Sequence, residues 1–401
     1  MAGKSLLHYD RGGTFTAVVR VFPDNCRREG GVDMKRGIKF AACLSLLPML
    51  LTGCWDIQNL TNKKLVNGLS LDLVGNDQMM GTIRTIVLES KGGGQFDAKD
   101  EVIKAVGASV YLIGYKIDNM LPGTLEASKT HVVIIGEELA KKGVMAPLEP
   151  FYRNPKFFLK ADLIISKGMA SEVLSFNKID NSPVAFGIKQ ILHSAARKTV
   201  VPKQTLYSLW SEVSTQGEDA IVPMIRKVNE TALTVDGICL FDGDRYSGVT
   251  LERADSTILL LMDGTLNAQA TMNIPIEQGM STILVRKLKR SIHVTANGST
   301  GKIECSVHVD LYGAIASLPS RMDREIDRKQ VNQEMADWLN KESSVVTAKL
   351  RQANCDALGI GRRLRVKYPE LWRSMDREQK YQNVVIKPSF TVHINSTGVL
   401  N

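Results

Sequence analysis

Six cysteines and six histidines hold most of the metal-binding and nucleophilic potential of this 401-residue chain, and their spacing favours neither chemistry. Cys239, Cys305 and Cys355 are too widely separated for a zinc-ligand run, and no Cys-His signature or G-x-S-x-G elbow accompanies them. An odd number of thiols cannot all pair internally, so buried free thiols are expected here. His131 opens the apolar run HVVIIG with no second histidine nearby and reads as a structural histidine. His293, His308 and His393 fall on three strand-like segments that could share a sheet, but no acidic partner stands at a matching position to support a metal. Asp242-Gly243-Asp244 holds only a fragment of a calcium loop and reads as a turn. Lys91-Gly92-Gly93-Gly94 lacks the G-x-x-x-x-G-K-[ST] spacing of a phosphate cradle and reads as a flexible loop. The expectation is a chain without metal, cofactor or catalytic site, and therefore not an enzyme.

One charged cluster remains. Arg362, Arg363, Arg365 and Lys367 place four positive charges within six residues. The cluster is either a solvated helix face or a contact for anionic headgroups or an acidic partner surface. It does not extend to nucleic acid. The net charge is +9, but the first 53 residues hold eight Lys/Arg against four Asp/Glu, leaving 43 against 38 in the remainder, with no basic motif interleaved with aromatics.

Cys54 is different from the other cysteines. Lys35, Arg36 and Lys39 precede a short apolar run over residues 40–51, which has the anatomy of a signal peptide. A permanent span needs about 20 apolar residues, and this run is shorter. It ends in Leu51-Thr52-Gly53-Cys54, which resembles the lipobox of bacterial prolipoproteins, where cleavage before the cysteine accompanies transfer of a diacylglyceryl group to its sulfur. Two or more acyl chains give durable anchoring, each buried CH₂ contributing about 0.8 kcal/mol. Residues 34–53 are thus the expected leader. Residues 1–33 do not fit it and read as a mis-assigned extension upstream of a start at Met34, because Arg28-Glu29-Gly30-Gly31 can be encoded by a purine-rich ribosome-binding stretch. A precursor peptide mapping to residues 1–33 would refute that start.

The elements that position these residues alternate in type. Residues 65–74 and 79–89 read as a hairpin around Gly75-Asn76-Asp77, followed by the glycine loop and a short strand over 102–106. Val110, Ile113, Ile117 and Leu121 mark a helix that Pro122-Gly123 stops. Strands over 131–136 and 161–166 each precede a helix, an α/β pattern expected to fill a first domain over 54–200. Residues 182–197 and 203–213 read as bridging helices. A middle domain over 201–280 is expected to hold an all-strand patch, residues 232–261, with a hairpin at Asp242-Gly243-Asp244. The last domain, 281–401, reads as a ββααβ unit. Strands cover 282–295 and 302–315, and one helix is marked by Val331, Met335 and Trp338. Val346, Leu350, Ala353 and Ala357 mark a second helix, and a short basic helix and a strand over 384–394 follow. The expected fold class is α+β, mixed α/β, with three domains of mixed and antiparallel sheets flanked by helices. Leu139, Trp338 and Trp372 are expected as core or interdomain packing residues.

These pieces together resemble the Ger(x)C family of spore germination lipoproteins, the C subunits of germinant receptors. Gly53-Cys54-Trp55-Asp56 is similar to the family's lipidated start, and Gly68-Leu69-Ser70-Leu71-Asp72 to its first strand. The run from His131 to Ala140 matches its central strand-to-helix step, and Gly237 and Gly248 bracket its middle hairpin. Gly359-Ile360-Gly361, Lys367-Tyr368-Pro369, Trp372 and then Ile394 with Gly398 match its C-terminal region. Two departures are Cys239, where an aliphatic residue is expected, and a short glycine run. The resemblance implies a non-catalytic subunit on the outer face of the spore inner membrane, working with two integral membrane receptor subunits of A-type and B-type. An exported solute-binding lipoprotein that captures a nutrient directly is the alternative.

Overall fold

The computed structural model describes residues 63–75, 77–92, 95–179, 182–230, 232–297, 302–319, 327–375, 381 and 384–396, with the backbone alone over 87–92 and 95–99. The expected leader and Cys54 lie outside the described residues.

Apolar residues at alternate positions start the fold as a meander of β1 (Lys63–Val74), β2 (Gln78–Gly92) and β3 (Gln95–Gly107), antiparallel throughout. The flexible loop expected over Lys91-Gly92-Gly93-Gly94 is corrected at Lys91 and Gly92, while Gly93 and Gly94 lie outside the described residues. The β2 strand runs through Lys91 and Gly92, and β3 begins at Gln95, well before the strand expected over 102–106. Ladder hydrogen bonds carry these polar residues into a hairpin that composition alone reads as loop. Next come α1 (Val110–Asp118), capped by Ser109, and the short β4 (Thr124–Glu126).

The β5 strand (Val132–Gly136) is buried at every residue. Val132 and Ile134 enter one core while Val133 and Ile135 enter another, so the strand is an unbroken apolar run because it has no wet face. The helices α2 (Glu137–Lys142) and α3 (Met145–Arg153) follow, then β6 (Asp162–Ser166), also wholly buried. Three helices come next: α4 (Ala170–Leu174), α5 (Val184–Arg197) and α6 (Leu206–Ser214). The strands β7 (Ile221–Lys227), β8 (Leu233–Asp242) and β9 (Arg245–Glu252) complete a nine-stranded sheet in the order β3-β2-β1-β5-β6-β7-β8-β9, with β4 against β1. This sheet continues across residue 200 without a break.

The all-strand expectation for 232–261 fails beyond residue 252, where α7 (Arg253–Asp263) replaces strand. Every residue from Ser256 to Met262 is buried, and a helix apolar all round loses the periodicity that would reveal it. A second sheet, in the order β10-β11-β12-β13, is built from β10 (Ala270–Ile276), β11 (Gly279–Ala296), β12 (Ile303–Ser317) and β13 (Val384–Ser396). Its outer face is wet, as the strict in-out burial along β10 shows. Between β12 and β13 stand α8 (Arg328–Gln352), α9 (Ile360–Lys367) and α10 (Pro369–Ser374). The two helices expected from Val331 to Ala357 are therefore one helix of 25 residues. The weak helix formers Ser343 and Ser344 do not break it, because Ser343 is buried and both hydroxyls donate back to the Asn340 carbonyl. The β10 strand likewise adds an edge that the ββααβ reading lacks. The fold class is α+β. One core lies between the two sheets with α5, α7 and α8, and the other covers the opposite face of the first sheet under α1, α2, α3 and α6.

Side chains from the first sheet hold α4 at both ends. Asp72 at the end of β1 accepts from the Ala170 and Ser171 amides at 2.6 and 2.8 Å. Arg84 on β2 donates through one nitrogen to the Leu174 and Phe176 carbonyls, each at 2.6 Å, and through another to Asp100, also at 2.6 Å. The helix thus has its free N–H groups met by a carboxylate and its free carbonyls by a guanidinium.

Candidate functional site

The basic cluster expected to act together is divided by the fold. Asp356, fully buried just before α9, accepts from the Ile360 and Gly361 amides at 2.8 and 2.7 Å and from the Tyr381 hydroxyl at 2.6 Å. Burial, with the Asp219 carboxylate adding to it, pushes the Asp356 carboxyl up to about 7 against those three donors. Asp219 also accepts from the Asp356 amide at 2.7 Å and from the Gly243 amide at 3.0 Å, tying the helix to the β8–β9 turn. Gly361 and Gly217 lie backbone to backbone, and a Cβ on either would meet the other within 2.5–2.8 Å.

In that setting the four charges point to different tasks. Arg363 donates to the Leu358 and Gly359 carbonyls at 2.9 and 2.8 Å, and Arg362 pairs with Glu218 at 3.1 Å. Arg365 and Lys367 are exposed, with the exposed Val366 between them. The helical register thus spends one arginine on local structure and a second on a surface pair. A charge count alone cannot reveal which ones.

The other candidates take structural places. Cys239, Cys305 and Cys355 are buried free thiols, all raised in pKa by burial, Cys305 to about 12. His131 packs edge-on against Phe186, its pKa lowered by burial and by Lys189. His308 and His393 do converge, on Asp310, at 3.2 and 3.8 Å, an acidic partner that sequence spacing did not place. The parallel register of β12 and β13 brings them together, and His393 stacks on Tyr312. Among the described residues no group of three or more His, Cys, Asp or Glu is arranged to hold a metal. Asp242 and Asp244 serve the turn, accepting from Asn354 and from the Met145 amide at 3.0 and 3.4 Å. Leu139 is buried, whereas Trp338 and Trp372 only pack on the core from its rim. Asp162, His193, Gln204 and Pro223 line a shallow hollow of about 10 Å³, far below the usual range of ligand pockets.

Sequence reasoning missed several exposed aromatics on the segments that flank the first sheet. Phe158, Phe186, Tyr207 and Trp210 are all exposed, and the Tyr152 and Trp210 rings pack at a tilt with centroids 4.7 Å apart. They come from a loop and two helices, so no single periodicity could have shown them as one group.

Two architectures meet in the chain, and both match known ones. Residues 56–227 match the family described as spore germination protein N-terminal domain, and residues 236–398 the one described as spore germination B3/GerAC like, C-terminal. The chain is 23% identical over 343 residues to the putative spore germination protein YfkR of Bacillus subtilis (strain 168), covering 82% of this chain and 88% of that one. It is 21% identical over 405 residues to spore germination protein KC of the same organism, covering 92% and 98%. The crystal structure of the GerBC protein shares the fold, with a TM-score of 0.55 at 15% identity over 85% of this chain and all of the other. These matches define a spore germination protein of the GerC type. The chain belongs to the Ger(x)C family.

Proposed function

We propose that this chain is the lipid-anchored, non-catalytic subunit of a nutrient germinant receptor, required for spore germination through docking with two integral membrane subunits of A-type and B-type. The single observation that carries the reading is order. A basic n-region, a short apolar run and Leu51-Thr52-Gly53-Cys54 come immediately before a body that matches the family from residue 56 to residue 398. In this reading a diacylglyceryl group on Cys54, with any further acyl chain such as palmitate, holds the protein on the outer face of the spore inner membrane. Among the described residues no helix is long and apolar enough to cross a membrane, consistent with lipid as the means of attachment. Arg365 and Lys367, exposed beside the Arg362–Glu218 pair, are the charges offered to an acidic partner surface or to headgroups.

Affinity capture from detergent-solubilised spore membranes tests the docking: recovery of two polytopic subunits supports it, and recovery of the chain alone overturns it. Metabolic labelling with a fatty-acid probe tests the anchor. Cys54→Ala should lose all label, and equal label in wild type and variant would sink the assignment.

A further inference from the structure

We propose that the free edge of β3 is a dimer interface, taken up by β3 of a second copy of this chain, the two strands pairing antiparallel about a twofold axis at Val102. The inference rests on neither the anchor nor the receptor docking proposed above.

The strand that ends a sheet offers unpaired backbone groups to any passing strand, and folds normally blunt it. The other ends of the two sheets are blunted here. On β13 the Phe390 and Ile394 amides donate to the Asn340 and Asn332 side chains of α8 at 2.7 and 3.2 Å, and Pro388 supplies no amide. The β10 strand carries Pro275, and β9 is eight residues long with a register shift where it pairs with β8. The β3 strand differs. It has thirteen residues and no proline, and it pairs with β2 from Phe96 to Gly107 without a shift. Among the described residues no strand pairs with its other side. Lys116 donates to the Val106 carbonyl at 2.8 Å, a contact beyond Lys104. Val102 and Val106 stand exposed on one face of the strand. On the other face α1 seats Ile113 against Gly81 and Gly107 and leaves Tyr111 and Tyr115 exposed. Apolar surface thus flanks the open edge on both sides.

The residues of the edge select the partner. A twofold axis normal to the sheet pairs residues of one face with residues of the same face, so it must pass beside a residue that meets itself. With the axis at Val102, a β-branched pair forms at the centre, and Asp100 stands opposite Lys104 once on each side. Moved one residue toward the N-terminus, the axis sets Glu101 against Glu101. Moved one residue the other way, it sets Ile103 against itself and pairs no opposite charges. Asp100 gives one oxygen to Arg84 at 2.6 Å and holds a long 3.5 Å contact from Asn67 on the other, the oxygen that Lys104 of the second copy takes. Each chain has one β3, so the pairing is isologous and closes at two copies.

Analytical ultracentrifugation of the full chain in density-matched detergent should show a dimer and nothing larger. The three described cysteines are buried, so Val102→Cys supplies a reactive thiol at the axis. With the short crosslinker bismaleimidoethane it should join to itself several-fold more than the wild type, or than Asp77→Cys in the exposed turn after β1. Lys104→Glu replaces two opposite-charge pairs by two like-charge pairs and should weaken the dimer about tenfold, whereas Lys104→Arg should keep it. Lys104 is exposed, so the Glu variant should retain the wild-type circular dichroism spectrum, and its loss reads association rather than folding. A chain that stays monomeric up to about 100 μM overturns the proposal. So does a dimer that neither crosslinks at 102 nor weakens with Lys104→Glu, which lies on another surface. Crosslinking of 102 only to a different polypeptide assigns the edge to a foreign strand and overturns it as well.

Discussion

Two short helices, α4 and α9, both begin on a buried carboxylate, and they differ in what is done with the other end. Asp72 reaches α4 from β1, nearly a hundred residues earlier in the chain, and Arg84 takes the carbonyls at its C-terminus. Asp356 caps α9 from only four residues before it, and the far end of α9 runs out into Arg365 and Lys367 in water. A helix held at both ends by long-range side chains is fixed to the sheet that supplies them. One held at its start alone is a platform whose last turn can meet another surface. Burial raises the pKa of Asp72 as it does that of Asp356, so the two carboxylates share a cause and differ in the span of chain they close.

The largest expected effect lies at the doubly held helix. Arg84→Ala leaves the Leu174 and Phe176 carbonyls and the Asp100 carboxylate without their buried donor, and should cost about 3–5 kcal/mol in urea unfolding. A loss under about 1 kcal/mol would mean that α4 is not held from β2. At α9, Asp356→Asn turns an amide NH₂ toward groups that already donate, with a cost of about 1–3 kcal/mol. This variant also carries a pH signature. A carboxyl raised from 3.8 to about 7 binds its proton more tightly in the folded chain, so its contribution is complete below about pH 4 and is lost as pH rises through 7. The wild type should therefore lose stability across that window, and Asp356→Asn should lose less. Equal slopes would show that Asp356 does not titrate there. The smallest effects separate the arginines of α9. Arg363→Gln should cost about 1 kcal/mol through its two carbonyl bonds, while Arg365→Gln should stay within about 0.5 kcal/mol. Thermal melts of both that coincide would erase the division within the cluster.

Elements buried on both faces of a sheet were the most legible, as HVVIIG shows, because a strand without a wet face has an uninterrupted apolar signature. The same property hid α7, whose apolar run reads as strand. Pro223 disguised β7, a strand that can contain it because only Met224 and Ile225, just beyond the proline, pair with β6. In the candidate site the basic run was plain in the sequence, but not its division, which depends on Gly217, Glu218 and Asp356 arriving from elsewhere. The convergence of His308 and His393 on Asp310 was hidden for a similar reason, since a parallel register is set by the crossover between the strands and not by either strand.

That crossover also sets an order of events in synthesis. The β13 strand pairs with β12 over nearly its whole length, from Ile303 opposite Val384 to Ala314 opposite Ser396, and α8, α9 and α10 intervene between them. The second sheet therefore cannot close until residue 396 has been made, and until then β12 presents an unpaired edge of about fifteen residues. A premature stop before β13 would leave that edge permanently open. Nascent chains in which β13 is missing should accumulate as aggregates or as substrates for proteases, while the nine-stranded sheet, complete by residue 252, already has all its strands.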